Sequence, residues 1–292
     1  MSAQTLDFLF VQVLNGVAFG LLIFLLATGL TLIFGMMDVI NLAHGSFYMI
    51  GAYVGLSIVR STNNFWLALL IAPLVVAALG LLVESGLLRR LYNRVQLDQV
   101  ILTFGLAYMI SDIVKWIWGA DIRSIPPPGN LEGATQFLGN FYPTYRLFVI
   151  GVGILIALLL WVMQKRTRIG AIIRAGVADK EMVSGLGINV GLVFTGVFTF
   201  GVALAAFSGV VAGPILGLYL GMDSDTLIIA LIVVVVGGLG TLTGAFWGGL
   251  LIGLADTFGK VLIPEFALFL TFAVMALVLL VRPSGLFGRK LA

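Results

Sequence analysis

Few side chains in this sequence could do chemistry, and three of them crowd into seven residues: Asp38, Asn41 and His44, the last being the only histidine. A carboxylate and an imidazole at that spacing could relay protons. With the asparagine between them they could instead line a weakly polar passage, continued by Phe47 and Tyr48. They cannot make a metal site alone, because the chain has no second histidine and no cysteine to complete one. Later in the chain Thr241 and Thr243, in GGLGTLTGA, offer hydroxyls in a comparable glycine-rich break. The same residues have plainer readings: His44 as a buried, satisfied histidine or helix cap, and Asn41 as the cap of the helix that carries His44. The sequence pattern brings no paired inward carboxylates together, which leaves few groups for acid–base or metal-assisted catalysis and argues against an enzyme.

What positions these residues is a stretch from Gly29 to Gly55, GLTLIFGMMDVINLAHGSFYMIGAYVG, in which an apolar run meets a glycine, then the polar cluster, then apolar and aromatic residues again. A helix broken at membrane depth frees backbone groups, and these persist only where they face protein or a wet cavity. In transporters such breaks sit near the midplane. Intramembrane ionisable groups are functional candidates by default.

The composition sets the class: 61% apolar and 10% charged residues, against roughly 45–50% and 25% in soluble domains. The 292 residues therefore read as one all-α integral membrane protein, and the net charge of +3 reflects loop placement, not a nucleic-acid surface. The absence of cysteine rules out a disulfide frame. No cleavable leader is expected, since the first basic residue is Arg60 and the first apolar run exceeds a leader's core. Bilayer-length segments fall at roughly 9–34, 40–59, 65–88, 98–119, 145–163, 191–220, 226–258 and 264–281. About eight membrane segments are expected, two of them broken, near 30–50 and within 226–258, where Gly237, Gly238, Gly240 and Gly244 interrupt the run.

Two weakly related halves are expected, because Gly45-Ser46-Phe47-Tyr48 is echoed by Gly244-Ala245-Phe246-Trp247. Paired interrupted segments are the sequence mark of a central transport site. Glycines four apart, from Gly209 to Gly221 and from Gly240 to Gly248, read either as close helix packing or as a smooth passage lining. Arg89, Arg90 and Arg94, then Lys165 to Lys180, then Arg282, Arg289 and Lys290 mark cytoplasmic stretches, which puts 120–144 and the acidic turn at Asp223 and Asp225 outside and the C-terminus inside. Nothing basic near the N-terminus assigns it to a side. Glu84 with Arg89, Asp112 with Lys115, and Asp256 with Lys260 read as structural charges, and Trp116 and Trp118 as an interfacial belt.

Residues 164–190, QKRTRIGAIIRAGVADKEMVSGLGINV, form the longest polar interruption on the basic side. Lys165, Arg166 and Arg168 suit a connector at lipid headgroups. The amphipathic middle, closing on Gly185-Leu186-Gly187-Ile188-Asn189, also suits docking to a cytoplasmic partner. The run GLADTFGK from Gly253 to Lys260 is no P-loop: five residues separate its glycines and Val261 replaces the Ser or Thr.

Three motifs in order, GLTLIFGMMDVINLAHGSFYMIGAY, RAGVADKEMVSGLGINV and GGLGTLTGAFWGGLLIG, resemble the permease subunit of bacterial ABC importers for branched-chain amino acids, over nearly the whole chain. The resemblance implies an inner-membrane heteromer with a second homologous permease, two ATPase subunits that bind ATP and Mg, and a periplasmic binding protein. It implies no cofactor in this chain. It also implies a coupling helix in the 164–190 loop, with Arg174, Asp179, Lys180, Glu181 and Gly187 as its positions. An ion-coupled secondary transporter of small amino acids or of amides such as urea, with Asp38 and His44 as its relay, is the alternative. Such a carrier needs no docking loop.

Overall fold

The computed structural model describes residues 3–92, 94–137 and 139–288, so Arg289 and Lys290 lie outside the described residues. Among these, eleven α-helices and one small strand pair follow the apolar runs. They are α1 (Ala3–Met37), α2 (His44–Thr62), α3 (Phe65–Gly86), α4 (Gln96–Trp118), β1 (Ala134–Phe137), β2 (Asn140–Pro143), α5 (Thr144–Arg166), α6 (Arg168–Ala178), α7 (Lys180–Gly185), α8 (Val190–Leu216), α9 (Met222–Gly237), α10 (Leu242–Leu262) and α11 (Ala267–Val281). Seven helical stretches are long and apolar enough to cross a membrane; α2 and α9 are not among them. The count of about eight segments thus resolves into seven candidate spans and two further helices, α2, which is long enough but less apolar, and α9, which is shorter.

The core sits around α1, which is buried over most of its length and packs on α8 and α10. The α1–α8 pair is antiparallel: Ser208 on α8 donates to the Leu22 carbonyl at 3.1 Å, and Gly201 lies against Gly29. Where α1 crosses α10, Gly16 and Gly20 face Leu254, Gly249 and Gly253, with no room for a side chain between the backbones. The glycine stripes mostly serve close packing of this kind. Gly209 lies on the Tyr48 carbonyl and Gly248 on Val233, whereas Gly217 and Gly221 lie beyond their helix at φ 72° and 99°.

The two ends of the bundle differ. At one end Lys180 donates to the Met37 carbonyl at 3.3 Å, Gly176 of α6 meets Met36, and Arg89 reaches Thr195 at the start of α8. The described residues of all three basic stretches gather there. At the other end the antiparallel pair β1–β2, with Phe137 opposite Asn140, covers the start of α1 through Phe10 stacked on Phe137 and Tyr142 donating to Asn15 at 3.0 Å.

The architecture is an inverted repeat. α1 runs to the basic end, the chain turns back at Asp38 (φ 59°), and α2 begins level with the middle of α1 and runs to the ribbon end. α8 runs to the ribbon end, the chain turns back between Gly217 and Gly221, and α9 begins beside the start of α2 and runs to the basic end. α3 packs on α8 as α10 packs on α1, and α4 packs on α2 as α11 packs on α9. Roles and directions are exchanged between α1–α4 and α8–α11, the form of many transporters.

The two halves are therefore present, but their register differs from the sequence echo. Gly244 opens α10, the partner of α3, whereas the counterpart of α2 is α9. The break at 238–241 is a turn at the basic end, held by Thr241 donating to the Gly238 carbonyl at 2.8 Å. The mid-depth break of the second half lies earlier, at 217–221.

Candidate functional site

The polar cluster expected at membrane depth is spread along a climbing segment. Asp38 stays at the basic end, exposed, where Gln96 donates to its carboxylate at 2.9 Å and to its carbonyl at 3.2 Å. An aspartate adopts the left-handed conformation at less cost than most residues, which makes it a workable pivot after a long helix. The segment then rises along α4, and Leu42 N–H donates to the Thr103 hydroxyl at 3.2 Å. Asn41 is buried. Its side-chain oxygen accepts from Ala43 N–H at 3.1 Å and its amide nitrogen has no partner, so it forms a local turn and not the cap of α2, whose first residue is His44.

His44 is completely buried, with its ring against Gly29. Its Nε2 stands 3.1 Å from the Leu26 carbonyl oxygen, which can only accept, so Nε2 carries the proton and Nδ1 is left as an acceptor without a partner. This bond ties the start of α2 to the middle of α1. Phe47 packs edge-on against Phe198 of α8 at 6.1 Å, and Tyr48 is buried beside Gly209. His44, Phe47 and Tyr48 are all buried, and none of them lines the cleft at the basic end.

The residues that complete the junction were not singled out from the sequence. Ser46, in the first turn of α2, donates to the Asp223 carboxylate at 3.1 Å, and the Asp223 carbonyl lies on Gly45. Asp223 is buried in the first turn of α9, so the N-termini of two helices converge on one carboxylate, which their dipoles favour. The signal was present as an acidic pair after two glycines in GLYLGMDSD, but it reads equally as a surface turn.

Thr241 and Thr243 lie elsewhere. They line a cleft of about 550 Å³ at the basic end, together with Gly35 and Met36 of α1 and Ile173 and Arg174 of α6. The cleft brings together the glycine turn, the end of α1 and the polar loop. The loop forms two helices. α6 buries Ile173 and Gly176, and Asp179 caps α7 by accepting from Met182 N–H at 2.9 Å. Lys180 bridges the Met37 carbonyl and the face of Phe194, 5.6 Å from the ring centre. Arg174, Glu181, Met182 and Leu186 are exposed, and Gly187 turns the chain at φ 80°.

Two of the expected structural charges pair: Glu84 with Arg89 at 3.2 Å and Asp256 with Lys260 at 2.6 Å; Asp112 and Lys115 do not. Glu84 is fully buried and also accepts from the Tyr92 hydroxyl at 2.7 Å. Burial first, and then this bond to a carboxylate, push the Tyr92 phenol above its ordinary range.

Comparison with known proteins agrees with this architecture. The family described as "Branched-chain amino acid transport system / permease component" matches residues 12–279. The high-affinity branched-chain amino acid transport system permease protein LivH of Escherichia coli is 32% identical over 99% of this chain and 98% of its own length. The permease protein BraD of Pseudomonas aeruginosa, of the same description, is 31% identical over 95% of each chain. In fold alone, the chain is similar to the solved structure of PsaBC from Streptococcus pneumoniae in complex with Fab, with a TM-score of 0.51, 12% identity, and coverage of 94% of this chain and 92% of that one.

Proposed function

Since this chain belongs to the branched-chain amino acid transport permease family, we propose that it is a membrane-spanning subunit of an ATP-driven importer of leucine, isoleucine and valine. It works with a second homologous permease, two ATPase subunits that bind ATP and Mg, and a binding protein that delivers the substrate. It sits in the inner membrane with its basic end in the cytoplasm, as the gathering of Arg and Lys at one end supports. No covalent chemistry falls to this chain. Its task is to offer a passage that opens first to one side and then to the other.

The observation that carries this reading is the link between the exposed loop and the buried junction. α6 and α7 present Arg174, Glu181, Met182 and Leu186 to the outside of the bundle while resting on the last turn of α1 through Gly176–Met36 and Lys180–Met37. One residue beyond Met37 is the left-handed Asp38, and the segment that follows ends at His44 and Ser46. A push on the loop by an ATPase therefore reaches the pivot between the two halves through packed, hydrogen-bonded contacts. Asp38, Asn41, His44, Phe47 and Tyr48 act in this scheme as the moving hinge of the passage, and Thr241 and Thr243 face its cytoplasmic mouth.

The ion-coupled alternative finds no support. Asp38 is held by Gln96 at the exposed end and His44 by a carbonyl in the core, so they form no relay in this conformation. The test is purification of the tagged chain from its native membrane in mild detergent. Co-purification of ATPase subunits and a second permease, with ATP-dependent leucine uptake after reconstitution, is the expected result. A single-chain species that takes up leucine without ATP overturns the reading.

A further inference from the structure

A groove on the flank of the bundle joins the basic-end cleft and has no role in the scheme above. α5 and α10 both pack on α1 and leave between them an apolar cavity of about 390 Å³, floored by Phe24 and walled by Ala157, Trp161, Phe246 and Trp247. The groove shares Gln164, Leu242 and Thr243 with the cleft, so the two are continuous. It closes toward the middle of the bundle, where Gly153 lets α5 touch Leu21 of α1.

Its length and charge define an occupant. From Ile154 to Gln164 the groove follows α5 over eleven residues, whose ends lie about 15 Å apart along the helix, which is the depth of one leaflet in a hydrocarbon core of about 30 Å. At its basic end stand Lys165 and Arg174, neither paired with a carboxylate, and no acidic side chain lines either cavity among the described residues. We infer that this groove is a binding site for one anionic phospholipid of the basic-end leaflet, an acyl chain lying between α5 and α10 and the phosphate held near Lys165 and Arg174. A basic pocket between membrane helices on the cytoplasmic side is suited to anionic headgroups. A bound lipid would buttress the wall of the cleft on which α6 rests. The leaflet assigned is cytoplasmic only through the orientation proposed above; the site itself does not depend on it.

The test is native mass spectrometry of the full chain in maltoside micelles, with dioleoyl phosphatidylglycerol or dioleoyl phosphatidylcholine added. One phosphatidylglycerol per chain is expected, bound about thirtyfold more tightly than phosphatidylcholine for two basic residues. Lys165→Gln, an exposed change that leaves the packing alone, should remove about fivefold of that preference. Ala157→Trp, which fills the groove, should abolish the bound lipid. Equal retention of both lipids, no effect of Lys165→Gln, or displacement of the lipid by millimolar leucine overturns the inference, while leaving the transport reading to its own uptake assay.

Discussion

Ser46 and Asp223 are 177 residues apart, yet the Ser46 hydroxyl donates to the Asp223 carboxylate at 3.1 Å in the middle of the bundle. Each opens a helix that starts at that depth, and each helix follows a turn that reverses a longer one. The bond therefore joins the two inverted halves at the place where both have given up regular structure. Freed backbone groups there are covered by the partner half, which is why such breaks survive in a membrane.

Ser46→Ala and Asp223→Ala should each lower stability, and together by less than their sum. Interhelical hydrogen bonds in membranes average about 0.6 kcal/mol and reach about 1.7 kcal/mol. A double-mutant cycle read by thermal unfolding in detergent should give a coupling energy in that range. Strict additivity would show that the two halves are held by packing alone.

Glycine substitutions should divide by contact, not by position in a stripe. A Cβ at Gly209 collides with the Tyr48 carbonyl, so Gly209→Ala should destabilise by about 1–3 kcal/mol through forced separation of α8 from α2. Gly105, in α4, has open space around its Cα, so Gly105→Ala should be neutral or stabilising by up to about 1 kcal/mol. Equal effects in the same unfolding assay would remove the packing account of the glycines.

The helices and the first break were legible because apolar runs, and polar residues interrupting them, are local signals. The salt bridges at Glu84–Arg89 and Asp256–Lys260 were legible for the same reason of short spacing. The second break was misplaced because Gly237, Gly238 and Gly240 look like an interruption at depth when they form a turn at the end of two antiparallel helices. Asp223 was read as part of an outer acidic turn, since nothing local tells that Gly217 and Gly221 turn the chain inward. Its partner Ser46 is visible only once the fold brings the halves together. The loop helices α6 and α7 were foreseen in kind, while their seat on Met36 and Met37 was not.

The loop carries the most direct functional prediction. Arg174→Glu reverses a charge on an exposed surface, and Gly187→Trp puts a bulky residue at φ 80°, which only glycine adopts freely. Both variants should abolish ATP-driven leucine uptake in proteoliposomes while the permease itself still assembles in the membrane. Normal uptake by both would remove the docking role of residues 170–189.

His44→Leu tests the hinge itself. Leucine nearly fills the space of the ring against Gly29 but cannot donate to the Leu26 carbonyl, so the start of α2 loses its tie to α1. Insertion should persist, because the flanking apolar helices are unchanged, and leucine uptake should be altered. Uptake measured from about pH 5 to 8, the range in which an accessible histidine titrates, separates two ways of altering it. A change of the same size at every pH marks His44 as a neutral positioning residue sealed in the core, the role its burial supports. A pH-dependent change would mean that the ring meets water during the cycle and takes up a proton there. Uptake by the variant that matches the native protein at every pH would reduce His44 to a packing residue and move the hinge to Ser46 and Asp223 alone.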